Sequence, residues 1–260
     1  MQPQHCKNCH NAHEKNFCSH CGQKTNTVRL NWHYVKDELE YTFLHINKGL
    51  LYTAKHLFTN PGETIRDYID GKRVQHYKPI LLVFVLAGLT GLLTHYIGIE
   101  KLMPTSTEPA VNMKSGFTVG KESLDWVINH YAIIELGLIP IISLCSYFAF
   151  RKWGYNYIEN IIINCFASGQ RLLFGIAIFP IEYLFSSSKY FMDIASILSL
   201  STYLLTIWTY YKIYEKKEIG EFILRVLLFG FLFVVIIILV AIIGIIAAFL
   251  LTKSGYVNLH

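Results

Sequence analysis

Cys6, Cys9, Cys18 and Cys21 form two Cys-x-x-Cys pairs joined by eight residues. Each pair bends the backbone into a knuckle that aims two sulfurs at one point, so four thiolates can surround one ion tetrahedrally. The spacing predicts a single structural Zn²⁺. So short a stretch cannot bury a useful core, and the metal must supply its folding energy. Gly22 follows the second knuckle, where positive φ and amide donors near the sulfurs are wanted. His10 stands in the equivalent place of the first knuckle. His10, His13 and His20 are substitute ligands that a complete cysteine shell does not need. A pair of disulfides is the competing reading.

A second chemistry lies inside the apolar blocks of the chain. Ionisable residues in segments that cross a bilayer are expensive and are the first functional candidates. Asn160, Asn164, Ser168, Arg171, Gly175 and Glu182 recur at helical spacings and make one polar stripe. Glu135 lies in the preceding block, and the short connection between the two blocks predicts antiparallel neighbours with Glu135 facing Arg171. Glu135, Asn164, Arg171 and Glu182 are therefore the candidate intramembrane site. It reads either as a groove for a lipid headgroup or small polar solute, or as a structural ion pair that fixes packing. Lys72, Arg73 and Lys78 precede the first long apolar run and suit anionic lipid headgroups, at about 1 kcal/mol per basic residue.

The elements that must hold these groups follow from composition. Hydrophobic residues make up 53% of the 260 and charged residues only 16%, too few charges for a soluble domain of this length. Mean hydropathy is +0.35. The expected fold is an all-α polytopic membrane protein with about five transmembrane helices, at about 79–98, 126–150, 158–185, 190–211 and 222–251. The third carries Gln170 and Arg171 near its middle, so a surface helix followed by a short span is the alternative there. A zinc ribbon (1–26) and amphipathic juxtamembrane helices (27–78) come before this domain (79–260). Within 27–78, one helix starts at Asn31 with Trp32, Val35, Leu39, Phe43 and Ile46 on its stripe. Gly49 breaks the pattern, Leu50 to Phe58 form a second apolar set, and Asn60-Pro61-Gly62-Glu63 starts a third helix that Gly71 ends. These helices either lie on the membrane surface or pack under the bundle.

Orientation comes from counting Lys and Arg on the two sides. Eleven precede the first span, and Arg151, Lys152, Lys212, Lys216, Lys217 and Arg225 bring that side to seventeen, against five on the other. This predicts an inner-membrane protein with a cytoplasmic N-terminus and an external C-terminus. A reducing compartment favours zinc over disulfides. The first twenty residues lack the apolar run of a signal peptide. The net charge of +5 follows membrane side, so no nucleic-acid partner is expected. No phosphate loop, nucleophile elbow or His-Glu-x-x-His is present, which leans away from an enzyme. His33 with Asp37 is a weak pattern, most simply an exposed hydrogen bond.

Cys6-Lys7-Asn8-Cys9, Phe17 to Lys24, Asn60 to Arg66, Asp70-Gly71-Lys72-Arg73, Tyr77-Lys78-Pro79 and Tyr157 to Asn160 together carry a resemblance. The chain resembles an uncharacterised bacterial membrane-protein family, found mainly in Bacteroidota. The resemblance implies a zinc ribbon and a multi-span domain, and brings no activity. The expected role is a docking or scaffold subunit whose ribbon meets a cytoplasmic or membrane protein partner, with membrane lipids around the spans. Lipid or small-solute handling through the groove at Arg171 and Glu135 is the alternative.

Overall fold

Long apolar runs without glycine or proline clusters can satisfy their backbone groups in a membrane only as helices, and helices dominate the structure. A computed structural model describes residues 4–13, 16–24, 27, 29, 31–32, 49–97, 126–186, 188, 190–215 and 217–253. Two short strands, β1 (Gln4–His5) and β2 (Ala12–His13), open the chain. They are followed by α1 (Leu50–Thr59), α2 (Pro61–Ile69), α3 (Pro79–Ile97), α4 (Tyr131–Phe150), α5 (Tyr157–Phe185), α6 (Phe191–Ile213) and α7 (Ile219–Lys253). The helix expected from Asn31 to Ile46 lies outside the described residues beyond Trp32, as do His33, Asp37 and the 99–125 loop.

Helices α3, α4, α5 and α7 are long and apolar enough to cross a membrane. The chain is an all-α polytopic membrane protein. Helix α6 has 23 residues but is less apolar than these four. Ser199, Thr202, Thr206 and Thr209 recur at helical spacing along one side of it. The opposite side shows Ile197, Leu200, Leu204, Ile207 and Tyr211 to the surroundings. An apolar outside and a hydroxyl-bearing inside suit a helix set between lipid and a polar interior.

Helix α5 is the axis of the bundle. It is one continuous helix of 29 residues, about 43 Å long, so the division considered at Gln170 does not occur. Residues 158–170 are all buried. Helices α3, α4 and α6 pack along α5, and α1 and α2 also lie against it. Gly169 lets α3 come close, because a Cβ there would sit 2.6 Å from Leu82 Cδ2. A reciprocal capping box starts the helix: Asn156 Oδ1 accepts from the Glu159 amide (2.8 Å) and Glu159 Oε2 from the Asn156 amide (2.7 Å).

The amphipathic pair α1 and α2 packs into the bundle and shares its core. Leu57 and Ile65 are fully buried and Tyr68 nearly so. The Gln170 side-chain amide donates to Leu57 O at 2.6 Å, and its carbonyl accepts from Thr209 on α6. Arg66 donates to Lys212 O (2.6 Å) and Ile213 O (2.9 Å), satisfying carbonyls that the end of α6 leaves open. Pro61 takes the first helical position as expected. The Asn60 side chain makes no cap bond; its carbonyl instead accepts from both the amide and the hydroxyl of Thr64.

His76 closes this layer, packed edge-on against the rings of Tyr52 and Tyr68. Burial pushes its pKa down to about 4 from the usual 6.5. The unfolded chain therefore binds a proton near pH 6.5 that the folded chain refuses until about pH 4. The contribution is complete above pH 6.5 and is lost as pH falls towards 4, by up to about 3 kcal/mol. Thermal midpoints of detergent-solubilised protein should drop more between pH 7.5 and 5 for wild type than for His76→Phe. Equal drops would remove His76 as the cause.

Candidate metal centre and intramembrane cavity

The N-terminal module is made of two small turns that face each other. Strand β1 pairs antiparallel with β2, and a Phe17–Lys24 bridge closes the second turn. Cys6 O accepts from the His10 amide (2.9 Å) and Cys18 O from the Gly22 amide (2.8 Å), so the two knuckles have the same fold. Both following residues sit in the left-handed region, His10 at φ 60° and Gly22 at φ 73°. The position expected to need glycine therefore has the same conformation in both knuckles, and His10 accepts the strain.

The four sulfurs lie within 4.8 Å of one another. Cys6 and Cys21 are 3.6 Å apart, and Cys9 and Cys18 are 3.5 Å apart. These separations are far above a disulfide bond, and all four thiols are free. A tetrahedral ion with sulfur bonds of about 2.3 Å would space its ligands by about 3.8 Å. The cluster fits a metal ion. The Cys21 amide pulls the Cys18 thiol down. Burial opposes ionisation of Cys21, but the Gln23 amide and Asn8 side chain outweigh it and bring that thiol down to about 7. Backbone amides beside Cys18 and Cys21 thus favour the thiolate form that binds metal, while at Cys9 the Asn11 amide is outweighed by burial and the other three sulfurs, which push that thiol up to about 12.

The module is fastened to the helices by the residue after its last turn. Gln23 is buried; its Nε2 donates to Gly71 O at 2.8 Å, and its Oε1 accepts from the amides of Arg73 and Val74, both at 3.2 Å. Gly71 has φ +105°, and a Cβ there would meet Thr27 Oγ1 at 2.6 Å. Arg29 adds a two-pronged pair with Glu159 (2.8 and 3.1 Å) at the start of α5. Two stretches that looked like separate motifs, Cys21-Gly22-Gln23 and Asp70-Gly71-Lys72-Arg73, are halves of one contact.

The second site lies between α3, α4, α5, α6 and α7. Arg171 Nη2 pairs with Glu135 Oε1 and donates to Ser168 Oγ at 3.3 Å. Beside this pair is a cavity of about 540 Å³, walled by Thr90, Tyr131, Thr202, Tyr203, Thr206 and Tyr210 among others. Leu138, Ile142, Phe229 and Phe233 supply its apolar surface. The Arg171 side chain is 25% exposed and that of Glu135 9%, so the guanidinium is the more open partner. Asn164 also reaches the cavity, but its amide is committed to Ser143, Ser146 and Asn160 O, and its carbonyl to Tyr210.

A family described as a protein of unknown function (DUF3667) matches residues 47–91. No curated protein and no solved structure matches the chain. The matched segment runs through α1, α2 and most of α3, the layer that encloses the buried half of α5. It holds Asn60 to Arg66, Asp70 to Arg73 and Tyr77 to Pro79. A match to an uncharacterised family therefore falls on residues that carried the resemblance, while the cysteine pairs lie outside it.

Of the candidate intramembrane residues, Glu135, Asn164 and Arg171 meet around the cavity. Glu182 lies three turns further along α5 and does not line it. Lys72 pairs with Asp67 at 2.8 Å, and Arg73 donates to Tyr68 O at 3.0 Å, so both are tied to α2. Gln23, Arg29 and the α6 hydroxyls had no role in the sequence reading. The α6 pattern was visible as Ser/Thr at helical spacing in an otherwise apolar run; the contacts of Gln23 and Arg29, 48 and 130 residues away along the chain, were not.

Proposed function

We propose that this chain is a bacterial inner-membrane protein that holds a lipid headgroup or small polar solute in the cavity beside Arg171 and Glu135. The observation that carries this reading is the cavity itself. A structural ion pair alone would be packed dry, whereas this one borders about 540 Å³ of space with a hydroxyl-bearing wall. Helix α6 is read as the fifth span, since its hydroxyl side faces that space and its apolar side faces outward. The excess of seventeen Lys and Arg over five supports a cytoplasmic N-terminus. There the four cysteines hold Zn²⁺, a closed shell with no open position for catalysis. Zinc keeps the knuckles in shape so that Gln23 can clamp the turn after α2.

A second reading, docking of a protein partner on the ribbon, is favoured by Phe17, an aromatic ring 59% exposed on this small rigid module. The cavity reading is tested by native mass spectrometry of gently purified protein. Wild type is expected to carry a bound mass that the Arg171→Leu/Glu135→Leu double variant lacks. The same mass on both forms, or none on either after reconstitution with membrane lipid extract, would count against it.

A further inference from the structure

Four of the hydroxyls that wall the cavity, those of Thr90, Thr202, Thr206 and Tyr210, do not point their hydrogens into it. Thr90 donates to Leu86 O (2.9 Å), Thr202 to Ser199 O (2.7 Å) and Thr206 to Thr202 O (3.0 Å), each back into its own helix. Tyr210 donates to Asn164 Oδ1 at 2.7 Å. A hydroxyl has one hydrogen and two lone pairs, so each of these groups is left as an acceptor. Thr90, Thr202 and Thr206 thus present oxygens that suit a ligand that donates.

Among the described residues that line the cavity the cationic donor is Arg171, whose bonds to Glu135 and Ser168 both fall on Nη2. The N–H groups on Nη1 and Nε remain for an anion. The Arg171–Glu135 pair is neutral overall, and a net charge brought into a membrane interior is costly. A ligand without net charge avoids that cost, provided it offers an anionic group to Arg171 and a hydrogen-bond donor to the threonines.

Resting on the cavity reading above, we infer that the ligand is a zwitterion with a primary ammonium and a phosphate or carboxylate. The anion binds Arg171, and the ammonium binds the oxygens of Thr202, Thr206 and Thr90. An ethanolamine phospholipid headgroup and a free aminoalkyl phosphodiester share this chemistry. A choline headgroup keeps the charges but has no N–H to donate. A glycerol headgroup keeps donors but carries net charge.

The test uses delipidated full-length protein in detergent and measures binding of four probes: dihexanoyl phosphatidylethanolamine, phosphatidylcholine, phosphatidylglycerol and free glycerophosphoethanolamine. The ethanolamine lipid is expected to bind at least about tenfold more tightly than the choline and glycerol lipids. The Thr202→Val/Thr206→Val variant keeps the shape of α6 and removes two acceptors; it should abolish that preference while retaining binding that depends on Arg171. Free glycerophosphoethanolamine matching the lipid assigns the site to a soluble solute, and weaker binding assigns it to lipid; both outcomes support the zwitterion. Equal binding of ethanolamine and choline lipids overturns the donating ammonium and leaves the cavity reading standing. Failure of all four probes to bind overturns the zwitterion; that failure together with the same bound mass on wild type and the Arg171→Leu/Glu135→Leu variant overturns the cavity reading as well.

Discussion

Arg171→Leu lowers the thermal midpoint of the purified protein by about 6–12 °C, the equivalent of about 3 kcal/mol in a chain of this size. The loss arises from what the substitution leaves behind. The Glu135 side chain is 9% exposed, and without the guanidinium its carboxylate is left buried without its charge partner. Arg171→Leu/Glu135→Leu removes both charges together and should recover most of the lost stability, because well-packed apolar pairs replace buried ion pairs at little cost. That variant separates the two readings of the pair. Recovered stability with loss of the bound ligand means that the pair is kept for function. A double variant as unstable as the single one means that the pair holds the helices together.

Cys18→Ser should take bound zinc from about one ion per chain towards zero, measured by elemental analysis after desalting. Small cysteine-bound zinc modules draw on the order of 10–16 kcal/mol from the metal, far more than the few buried residues here can supply. Loss of the metal should spread to the helices through Gln23. Gln23 loses its fixed position, and the Arg73 and Val74 amides lose the side-chain oxygen that both share. Their hydrogen exchange should speed up about tenfold or more, on the scale of a lost buried hydrogen bond. Gln23→Ala should reproduce the faster exchange while retaining zinc. If Cys18→Ser loses zinc and both amides exchange as in wild type, the ribbon does not clamp this layer.

The apolar runs fixed the helices in advance, because a bilayer admits few other structures. The cysteine spacing foretold the cluster and the left-handed turn at Gly22; that His10 takes the same conformation was not read from it. Glu135 and Arg171 could be paired from the short turn between their helices. What remained hidden depended on distance along the chain. Whether α1 and α2 lay on the membrane or under the bundle turned on Gln170 meeting Leu57, 113 residues apart. The ribbon read as a free handle, because nothing in Cys21-Gly22-Gln23 says that its glutamine fits the Gly71 turn. The cavity was legible only as a polar stripe on α5. Its acceptor character comes from hydroxyl orientations on α3 and α6 that follow from local helix geometry but cannot be assigned to one space without the packing.

The most direct measurement is a density map of the protein in lipid nanodiscs at a resolution that shows side chains. The account requires non-protein density between α4, α5 and α6, touching Arg171 at one end and the Thr202–Thr206 side of α6 at the other. Side chains closed upon one another there, with Arg171 and Glu135 enclosed in a dry interface, would contradict it.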